Sequence, residues 1–320
     1  MAPEPNRSRI FTQALYRRKY PMANTQLSTS RLVGIYASLT ILSIVWGNAF
    51  VAIRHAVQFM TPVELAAARF LPVVILMGGW LLTQDRAGAW QLLREEWLKI
   101  AWMAFGGVTT YHLALNTGET HVPAGTASLI IALSPAVAAV LSAIFLRERI
   151  TPLKTSGLVV SFVGLVVVVM FGEGVRFDLR DLGYYLLVLL SACVWGSYSV
   201  VGQSVLRRHP QMRVMATTLT LAGLPLVALA PLDFWPSVAA WPTSVWRAVA
   251  FLSFLCTVFA YVIWLNAIQY LGAARVQSFN YLVPFFAVLS GVVLLGESIT
   301  WGQIVGGVFI VAGVIAVNRR

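Results

Sequence analysis

Residues 135–151, PAVAAVLSAIFLRERIT, return 149 positions later as residues 284–300, PFFAVLSGVVLLGESIT. Each stretch opens with a proline and closes with Glu, any residue, Ile and Thr. The same offset relates three further sets of residues: Trp46-Gly47 and Trp195-Gly196, Gly157 and Gly306, and Gly164 and Gly313. Two unrelated apolar segments would match at Leu and Val rather than at residues of these types, so the chain contains an internal repeat.

The composition excludes a soluble protein. Of the 320 residues, 58% are apolar and 11% are charged, whereas soluble domains carry about 25% charged residues. A membrane-spanning helix needs about 20 residues. Ten apolar segments approach or exceed that length and are predicted spans: 32–53, 62–83, 98–117, 124–146, 153–172, 182–205, 212–232, 246–270, 273–296 and 301–318. The connections between them are short, so we expect no inserted soluble domain.

The formal net charge of +11 comes from basic residues that lie mainly between the apolar segments. This placement indicates sorting across a membrane rather than a nucleic-acid-binding surface. With the N-terminus inside, eighteen Lys and Arg residues fall on the inner side and four on the outer side. We therefore predict that both termini are cytoplasmic. The first segment, 32–53, is too long for the apolar part of a signal peptide, so we expect it to be retained as a helix.

The number of spans in each repeat determines how the two copies are related. The predicted organisation is a basic cytoplasmic tail (1–31), a first five-helix repeat (32–172), a linker (173–181) and a second five-helix repeat (182–320). Because five is odd, the second copy enters the membrane from the opposite side. The predicted fold is an all-α integral membrane protein of ten transmembrane helices in two inverted repeats. Inverted repeats are typical of secondary transporters.

Several short motifs resemble those of the drug/metabolite transporter superfamily, in particular its ten-helix EamA-type members. The matching motifs are Trp46-Gly47-Asn48-Ala49-Phe50, Arg69-Phe70, Ala127-Ser128-Leu129-Ile130 with Pro135, Leu146 with Glu148, and Leu294-Leu295-Gly296-Glu297. The resemblance covers about residues 32–318, and Arg147 departs from it where Gly commonly precedes the Glu. It implies export of small organic solutes, often amino acids or other metabolites, from a central cavity lined by helices of both halves.

Polar residues inside spans tend to face a cavity or another helix. Four polar residues of the third predicted span and its outer end recur every three or four positions and so share one helix face: Thr109, His112, Asn116 and Glu119. This face forms either a polar cavity wall or hydrogen bonds between helices, and Glu119 lies either on it or in the outer loop. His112 and Glu119 are the candidates for proton coupling.

Aromatic and polar side chains form similar faces in the sixth, eighth and ninth predicted spans. They are either packing residues or walls of a cavity that suits apolar or zwitterionic substrates and offers a cation–π surface to an amine. Together with residues of the first and third spans, they provide the predicted substrate-binding set: Trp46, Asn48, His112, Asn116, Trp195, Tyr198, Tyr261, Trp264, Asn280 and Tyr281.

Five other residues inside the spans need an interpretation. Arg69 could bind a substrate carboxylate, but we favour a structural role because its Arg-Phe motif is shared by relatives with different substrates. Pro135 and Pro284 occupy equivalent places and remove backbone donors, and we interpret them as gating positions rather than static kinks. Cys193 and Cys256 are interpreted as buried apolar residues. We expect no cofactor and no metal.

The sequence therefore predicts a secondary transporter that exports an amino acid or a related amine across the bacterial inner membrane by alternating access. A passive facilitator of the same solutes is the alternative. A membrane-embedded enzyme is disfavoured, because the sequence contains no HExxH, no GxSxG, no phosphate-binding loop and no carboxylate cluster. The expected partners are a small-molecule substrate and the lipid bilayer, with no nucleic acid, and the expected assembly is a monomer or a weak homodimer.

Overall fold

Helices form the regular structure throughout the part of the chain that can be described. The structure is a computed structural model, and it describes residues 28–146, 152–171 and 179–318. Most of the predicted N-terminal tail, most of the linker, and Arg147 and Glu148 lie outside the described residues.

The first part of the chain, up to residue 171, contains α1 (Thr29–Ala56), α2 (Pro62–Gln84), α3 (Arg86–Ala101), a π-helix (Trp102–Thr110), α4 (Tyr111–Gly118), α5 (Ala124–Ile131), α6 (Ser134–Leu146) and α7 (Pro152–Phe171). The second part contains a 3₁₀ turn (Leu179–Asp181), α8 (Leu182–Leu206), α9 (Gln211–Ala228), α10 (Phe234–Ser237), a 3₁₀ turn (Val238–Ala240), α11 (Thr243–Ala250), a π-helix (Phe251–Phe259), α12 (Ala260–Leu271), α13 (Ala273–Gln277), a 3₁₀ turn (Ser278–Tyr281), α14 (Val283–Ser290), a π-helix (Gly291–Leu295) and α15 (Trp301–Asn318).

The helices have the length and the surface of membrane spans. Among the described residues, six helical segments are long and apolar enough to cross a membrane: Thr29–Ala56, Pro62–Gln84, Ala124–Leu141, Leu182–Leu206, Thr243–Leu271 and Arg275–Leu295. Thr155–Phe171 and Trp301–Ala316 are shorter apolar helices. Large apolar side chains such as Phe162 and Phe285 are more than half exposed, and so extensive an apolar surface indicates a lipid surrounding. The molecule is an all-helical membrane protein.

The sequence repeat is also a repeat of structure. Adding 149 to the first residue of an element in the first half gives the first residue of its counterpart in the second half. This relation holds for α2 and α9, for the π-helices that begin at Trp102 and Phe251, for α5 and α13, and for α7 and α15. The offset found in short motifs therefore extends over most of both halves.

The contacts between the halves follow the same offset. A Cβ atom on Gly47 of α1 would lie 2.5 Å from the Cβ of Phe286 in α14. A Cβ atom on Gly196 of α8 would lie 3.2 Å from the Cβ of Val137 in α6. Phe286 and Val137 are themselves 149 positions apart. Each half thus packs its first helix against the proline-containing helix of the other half, at a point where only glycine leaves room.

Helices α7 and α15 cross at a second set of glycines. A Cβ atom on Gly164 would lie 2.7 Å from the carbonyl oxygen of Gly306, and one on Gly313 would lie 2.5 Å from the carbonyl oxygen of Gly157. Small residues let helix backbones approach closely inside a bilayer. The close approach of α7 and α15 is therefore a contact between the two halves of one molecule.

The fourth and ninth predicted spans are each interrupted just before a proline. Two residues separate α5 from α6, and Pro135 is the second residue of α6. A 3₁₀ turn and Leu282 precede α14, and Pro284 is its second residue. Because the first N–H groups of a helix have no partner within it, proline costs no hydrogen bond there. The prolines therefore begin new helical segments instead of kinking continuous helices.

A carboxylate joins the halves at one end of the molecule. Glu297 accepts hydrogen bonds from the backbone N–H groups of Ala124, at 3.1 Å, and Gly125, at 3.5 Å, at the start of α5. A negative charge is favourable at the N-terminus of a helix. Gly296 has a φ of 70°, in the left-handed region that favours glycine, and it ends the helix just before Glu297.

Candidate functional site

A cavity lies between the two halves of the molecule. The empty space between its lining atoms, counted together with the part that opens to solvent, is about 500 Å³. The described residues form two buried hydrophobic clusters, and Trp46 and Tyr111 each pack against both of them, so the cavity lies where these clusters meet. Its lining is mostly apolar and aromatic, and it consists of Trp46, Ala49, Phe50, Ile53, Arg69, Tyr111, His112, Leu115, Ile131, Trp195, Cys256, Tyr261 and Val283.

One wall of the cavity is a face of α1. Trp46, Ala49, Phe50 and Ile53 all line it, and their spacing of three, one and three residues places them on one side of a helix. The indole Nε1 of Trp46 donates a hydrogen bond of 3.2 Å to the backbone carbonyl of Cys256, in the π-helix Phe251–Phe259. This bond fixes the Trp46 ring against the second half.

Trp195 of α8 is the centre of an aromatic cluster. Its ring meets that of Trp46 edge to face, with 5.4 Å between the centroids, although the two residues occupy equivalent places in the repeats. Four more rings lie within 6 Å of it, at 5.5, 5.3, 5.8 and 5.4 Å: Tyr111, Tyr198, Tyr261 and Trp264. Such a cluster presents ring faces, which attract cations, and ring edges, which pack against apolar groups.

His112 adds a buried imidazole to the lining. Its ring centroid lies 4.9 Å from that of Phe70 and 4.9 Å from that of Tyr111. Within the described residues, neither ring nitrogen has a hydrogen-bond partner, and the hydroxyl of Tyr261 has none either. Buried polar groups are normally paired. These two side chains are therefore free to bond a molecule in the cavity.

Arg69 brings a guanidinium to the same lining. The side chain is 4% exposed. Its Nε donates to the hydroxyl of Thr257 at 2.8 Å, and its Nη2 donates to the carbonyl of Cys256 at 3.4 Å. Both acceptors belong to the π-helix of the second half, so Arg69 ties α2 to that half and also faces the cavity. The sequence is compatible with both roles, and Arg69 lies outside the predicted binding set.

The polar face predicted in the third span contacts neighbouring helices more than the cavity. Thr109 donates to a backbone carbonyl of α9 at 3.0 Å, and Asn116 donates to a backbone carbonyl of α2 at 3.3 Å. Glu119 follows α4 and is fully buried rather than exposed in a loop, and neither of its carboxylate oxygens has a partner in the described part of the chain. Of the four residues, His112 alone lines the cavity.

Two predicted asparagines hold helices together instead of lining the cavity. Asn48 donates to the carbonyl of Ile44 and accepts from the hydroxyl of Ser290 at 3.0 Å, which joins α1 to α14. Asn280 donates to Ser134 at 3.2 Å and to Gln277 at 2.7 Å. Its amide therefore connects the breaks in the two proline-containing helices.

Three predicted aromatic residues lie outside the lining. Tyr198 is buried and stacks on Trp195. Trp264 donates from Nε1 to Ser199 at 3.3 Å and supports the rings of Trp46 and Trp195 from behind. Tyr281 is partly buried against the hydrophobic core. Trp46, His112, Trp195 and Tyr261 are thus the predicted binding residues that the structure brings together around the cavity.

The lining residues absent from the predicted set are mostly apolar, and the periodicity of α1 identifies several of them. Ala49, Phe50 and Ile53 continue the helix face of Trp46, so periodicity from that residue points to them. Tyr111 precedes His112 in the chain. Ile131 and Val283 lie at the breaks next to the prolines, and only the folded chain shows that these breaks reach the cavity. Among the described residues, no group of three or more His, Cys, Asp or Glu side chains could hold a metal ion.

An all-helical chain with several apolar spans, two repeated halves and a cavity between them has the architecture of a membrane transporter. The chain belongs to the EamA-like transporter family, which matches residues 34–170 and 182–319. The membership predicted from the motifs in the drug/metabolite transporter superfamily is confirmed. The protein is accordingly a multi-pass membrane transporter of small molecules and not an enzyme.

Relatives match this chain over most of their length. An uncharacterized transporter of Archaeoglobus fulgidus is 29% identical, and the match covers 86% of this chain and 95% of that protein. A probable terminal-alkyne amino-acid exporter of Streptantibioticus cattleyicolor is 29% identical, over 88% of this chain and 93% of the relative. A probable amino-acid metabolite efflux pump of Salmonella typhimurium is 26% identical, over 89% and 94%. A crystal structure of a protein with 22% identity shares the fold with a TM-score of 0.60, over 87% of this chain and 94% of the other.

Proposed function

We propose that this protein is a secondary transporter that exports an amino acid or a related amine across the bacterial inner membrane. Substrate would bind in the central cavity and leave by alternating access. The names of two relatives, a probable amino-acid exporter and a probable amino-acid metabolite efflux pump, support this substrate class. That the protein is a transporter follows from its membership of the family.

The observation that carries the proposal is the composition of the cavity wall. Trp46, Arg69 and His112 come from the first half, and Trp195 and Tyr261 come from the second. A site shared by two repeats changes its access when the repeats rearrange, which is the basis of alternating access in transporters with repeated halves. The mixture of aromatic rings and a few polar groups suits a small solute with an apolar body.

The proposed topology comprises ten spans, with the repeats 32–172 and 182–320 inverted and both termini in the cytoplasm. Elements of the first half and their counterparts in the second half begin 149 residues apart, which supports a division into five spans in each half. The distribution of Lys and Arg supports the orientation. In this arrangement Glu297 and the start of α5 lie on the outer side.

The breaks next to Pro135 and Pro284 are the proposed flexing points. Both lie in helices that pack against the first helix of the opposite half, as the contacts of Gly196 and Gly47 show. Ile131 and Val283, beside the breaks, line the cavity. A small change of angle at either break would therefore move the cavity wall and the contact between the halves together.

Transport assays with a blocked cavity test the proposal. Purified protein in liposomes should exchange radiolabelled L-phenylalanine, L-leucine or their amines against the same unlabelled solute. Ala49→Trp should abolish this exchange, because Ala49 is 8% exposed and lines the cavity. Ala37→Trp is the matched control on the exposed side of the same helix and should exchange normally. Absence of exchange for every amino acid and amine in the wild-type protein would refute the substrate class.

A further inference from the structure

Arg69 is the charged residue of the cavity lining, and its charge is unmatched. In the described part of the chain, no carboxylate lies within ion-pair distance of its guanidinium. Neither carboxylate oxygen of the buried Glu119 bonds to it. A buried charge without a partner is costly. The site therefore favours an anionic group on a molecule that enters the cavity.

The guanidinium is held on one side and free on another. Its Nε and Nη2 bond to Thr257 and to the carbonyl of Cys256, whereas its Nη1 has no hydrogen bond to the described residues. Guanidinium groups bind carboxylates through two parallel hydrogen bonds when the fork is correctly placed. Because the two existing bonds restrain the side chain, little conformational entropy remains to be lost when a ligand binds.

The rest of the lining specifies the remainder of the ligand. Ile53, Leu115, Ile131 and Val283 offer apolar contacts, and the rings of Trp46, Trp195 and Tyr261 offer aromatic faces. Among the described residues, no carboxylate lines the cavity, so an ammonium group would bind to ring faces rather than to an acidic side chain. A ligand with one carboxylate, one amine and an apolar side chain matches all of these features.

We propose that Arg69 binds the carboxylate of an aliphatic or aromatic amino acid in the central cavity, an assignment that rests on the transport function proposed above. The charge of Arg69 then makes the site selective for amino acids over amines of the same shape. Thr257 acts as a positioning residue, because it holds the Nε edge of the guanidinium. The competing explanation is that Arg69 only fastens α2 to the second half.

Matched ligands distinguish the two explanations. L-phenylalanine and L-phenylalaninamide share the ring and the amine, and only the acid has a carboxylate; L-leucine and L-leucinamide form a second pair. Binding to the purified full-length protein is measured for the wild type, Arg69→Gln, Arg69→Lys and Thr257→Val. We expect the wild type to bind the acid about tenfold or more tightly than the amide. Arg69→Gln should bring the ratio of the affinities for acid and amide close to one without lowering the affinity for the amide.

The two conservative variants extend the test if Arg69→Gln does not fold. Arg69→Lys keeps the positive charge but loses the two parallel N–H donors of the guanidinium, so it should keep part of the preference for the acid. Thr257→Val should lower the affinity for the acid more than the affinity for the amide. An equal loss of affinity for acid and amide in these variants, or a wild type without a preference for the acid, would overturn the assignment of Arg69.

The failure of this assignment is distinguishable from the failure of the proposed function. If wild-type liposomes exchange L-phenylalaninamide or phenethylamine as well as L-phenylalanine, the protein transports amines and Arg69 does not select the carboxylate. If they exchange neither these solutes nor any other amino acid or amine, the proposed function is refuted, and the assignment of Arg69 with it.

Discussion

His112 places an imidazole in the cavity lining, where a proton could be exchanged with a bound substrate. Its imidazole lines the cavity and both ring nitrogens lack partners in the described residues. A histidine can change its charge near physiological pH. We therefore predict that His112→Ala abolishes substrate accumulation driven by an imposed pH gradient in liposomes, while exchange of labelled for unlabelled substrate, which needs no net proton movement, persists.

The control for this prediction is another histidine of the same chain. His121 is exposed and stacks on Tyr184, with 3.7 Å between the ring centroids, away from the cavity. His121→Ala should respond to the pH gradient as the wild type does. A His112→Ala protein that keeps its full dependence on the gradient would place the proton carrier elsewhere in the chain, whereas a wild type without any such dependence would indicate a passive facilitator.

At the residue scale, sequence patterns identify polar and aromatic side chains in spans but not what each of them faces. Trp46 lines the cavity, whereas Asn48, two positions later, bonds to Ser290 of α14. Two positions along a helix correspond to a rotation of about 200°, so both could not face one cavity. Contacts between distant parts of the chain are also hard to predict: Asn280 bonds to Ser134, which is 146 positions away in the chain.

At the scale of elements, hydropathy predicts apolar helical segments but not the irregular turns within them. Each half has a π-helix at the same place, Trp102–Thr110 and Phe251–Phe259. In the second, the hydroxyl of Thr257 bonds to the carbonyl of Leu252, five residues earlier, and Thr257 in turn accepts from Arg69. Hydropathy measures only how apolar a helix is. The wider turn that positions Thr257 depends on contacts between helices.

The crossing of α7 and α15 yields a prediction at this scale. Gly164→Val would place its Cβ against backbone atoms of Gly306 and Ile310, which cannot move aside as a flexible side chain can. We expect a loss of stability of about 1–3 kcal/mol, the usual effect of overpacking, seen as a lower melting temperature in detergent.

Gly79 of α2 provides the matched control for this substitution. It is exposed, and a Cβ atom there would meet no atom within 4 Å. Gly79→Val should therefore melt close to the wild type. Equal melting temperatures for the two valine variants would mean that α7 and α15 do not approach each other this closely.

At the scale of the whole molecule, the repeat supplies the scaffold, and departures from it supply the chemistry. Trp46 and Trp195 are equivalent and meet at the cavity. His112 is equivalent to Tyr261, and both line the cavity with different polar groups. Arg69 is equivalent to Thr218, so the guanidinium exists in one half only. The duplicated motifs predicted the scaffold from sequence, whereas the polar asymmetry required knowledge of which equivalent residues reach the cavity.

The inversion of the repeats can be tested directly at one pair of equivalent positions. Gln58, between α1 and α2, and Arg207, between α8 and α9, are exposed and lie 149 positions apart. Each is replaced by cysteine in a variant that lacks Cys193 and Cys256. In intact cells, a membrane-impermeant maleimide should label Gln58→Cys and should label Arg207→Cys only after permeabilisation. Because equivalent positions of parallel repeats share one side of the membrane, labelling of both positions from outside would refute the inversion. The reverse pattern would preserve the inversion and place the termini outside, since the positive-inside rule fixes only the orientation.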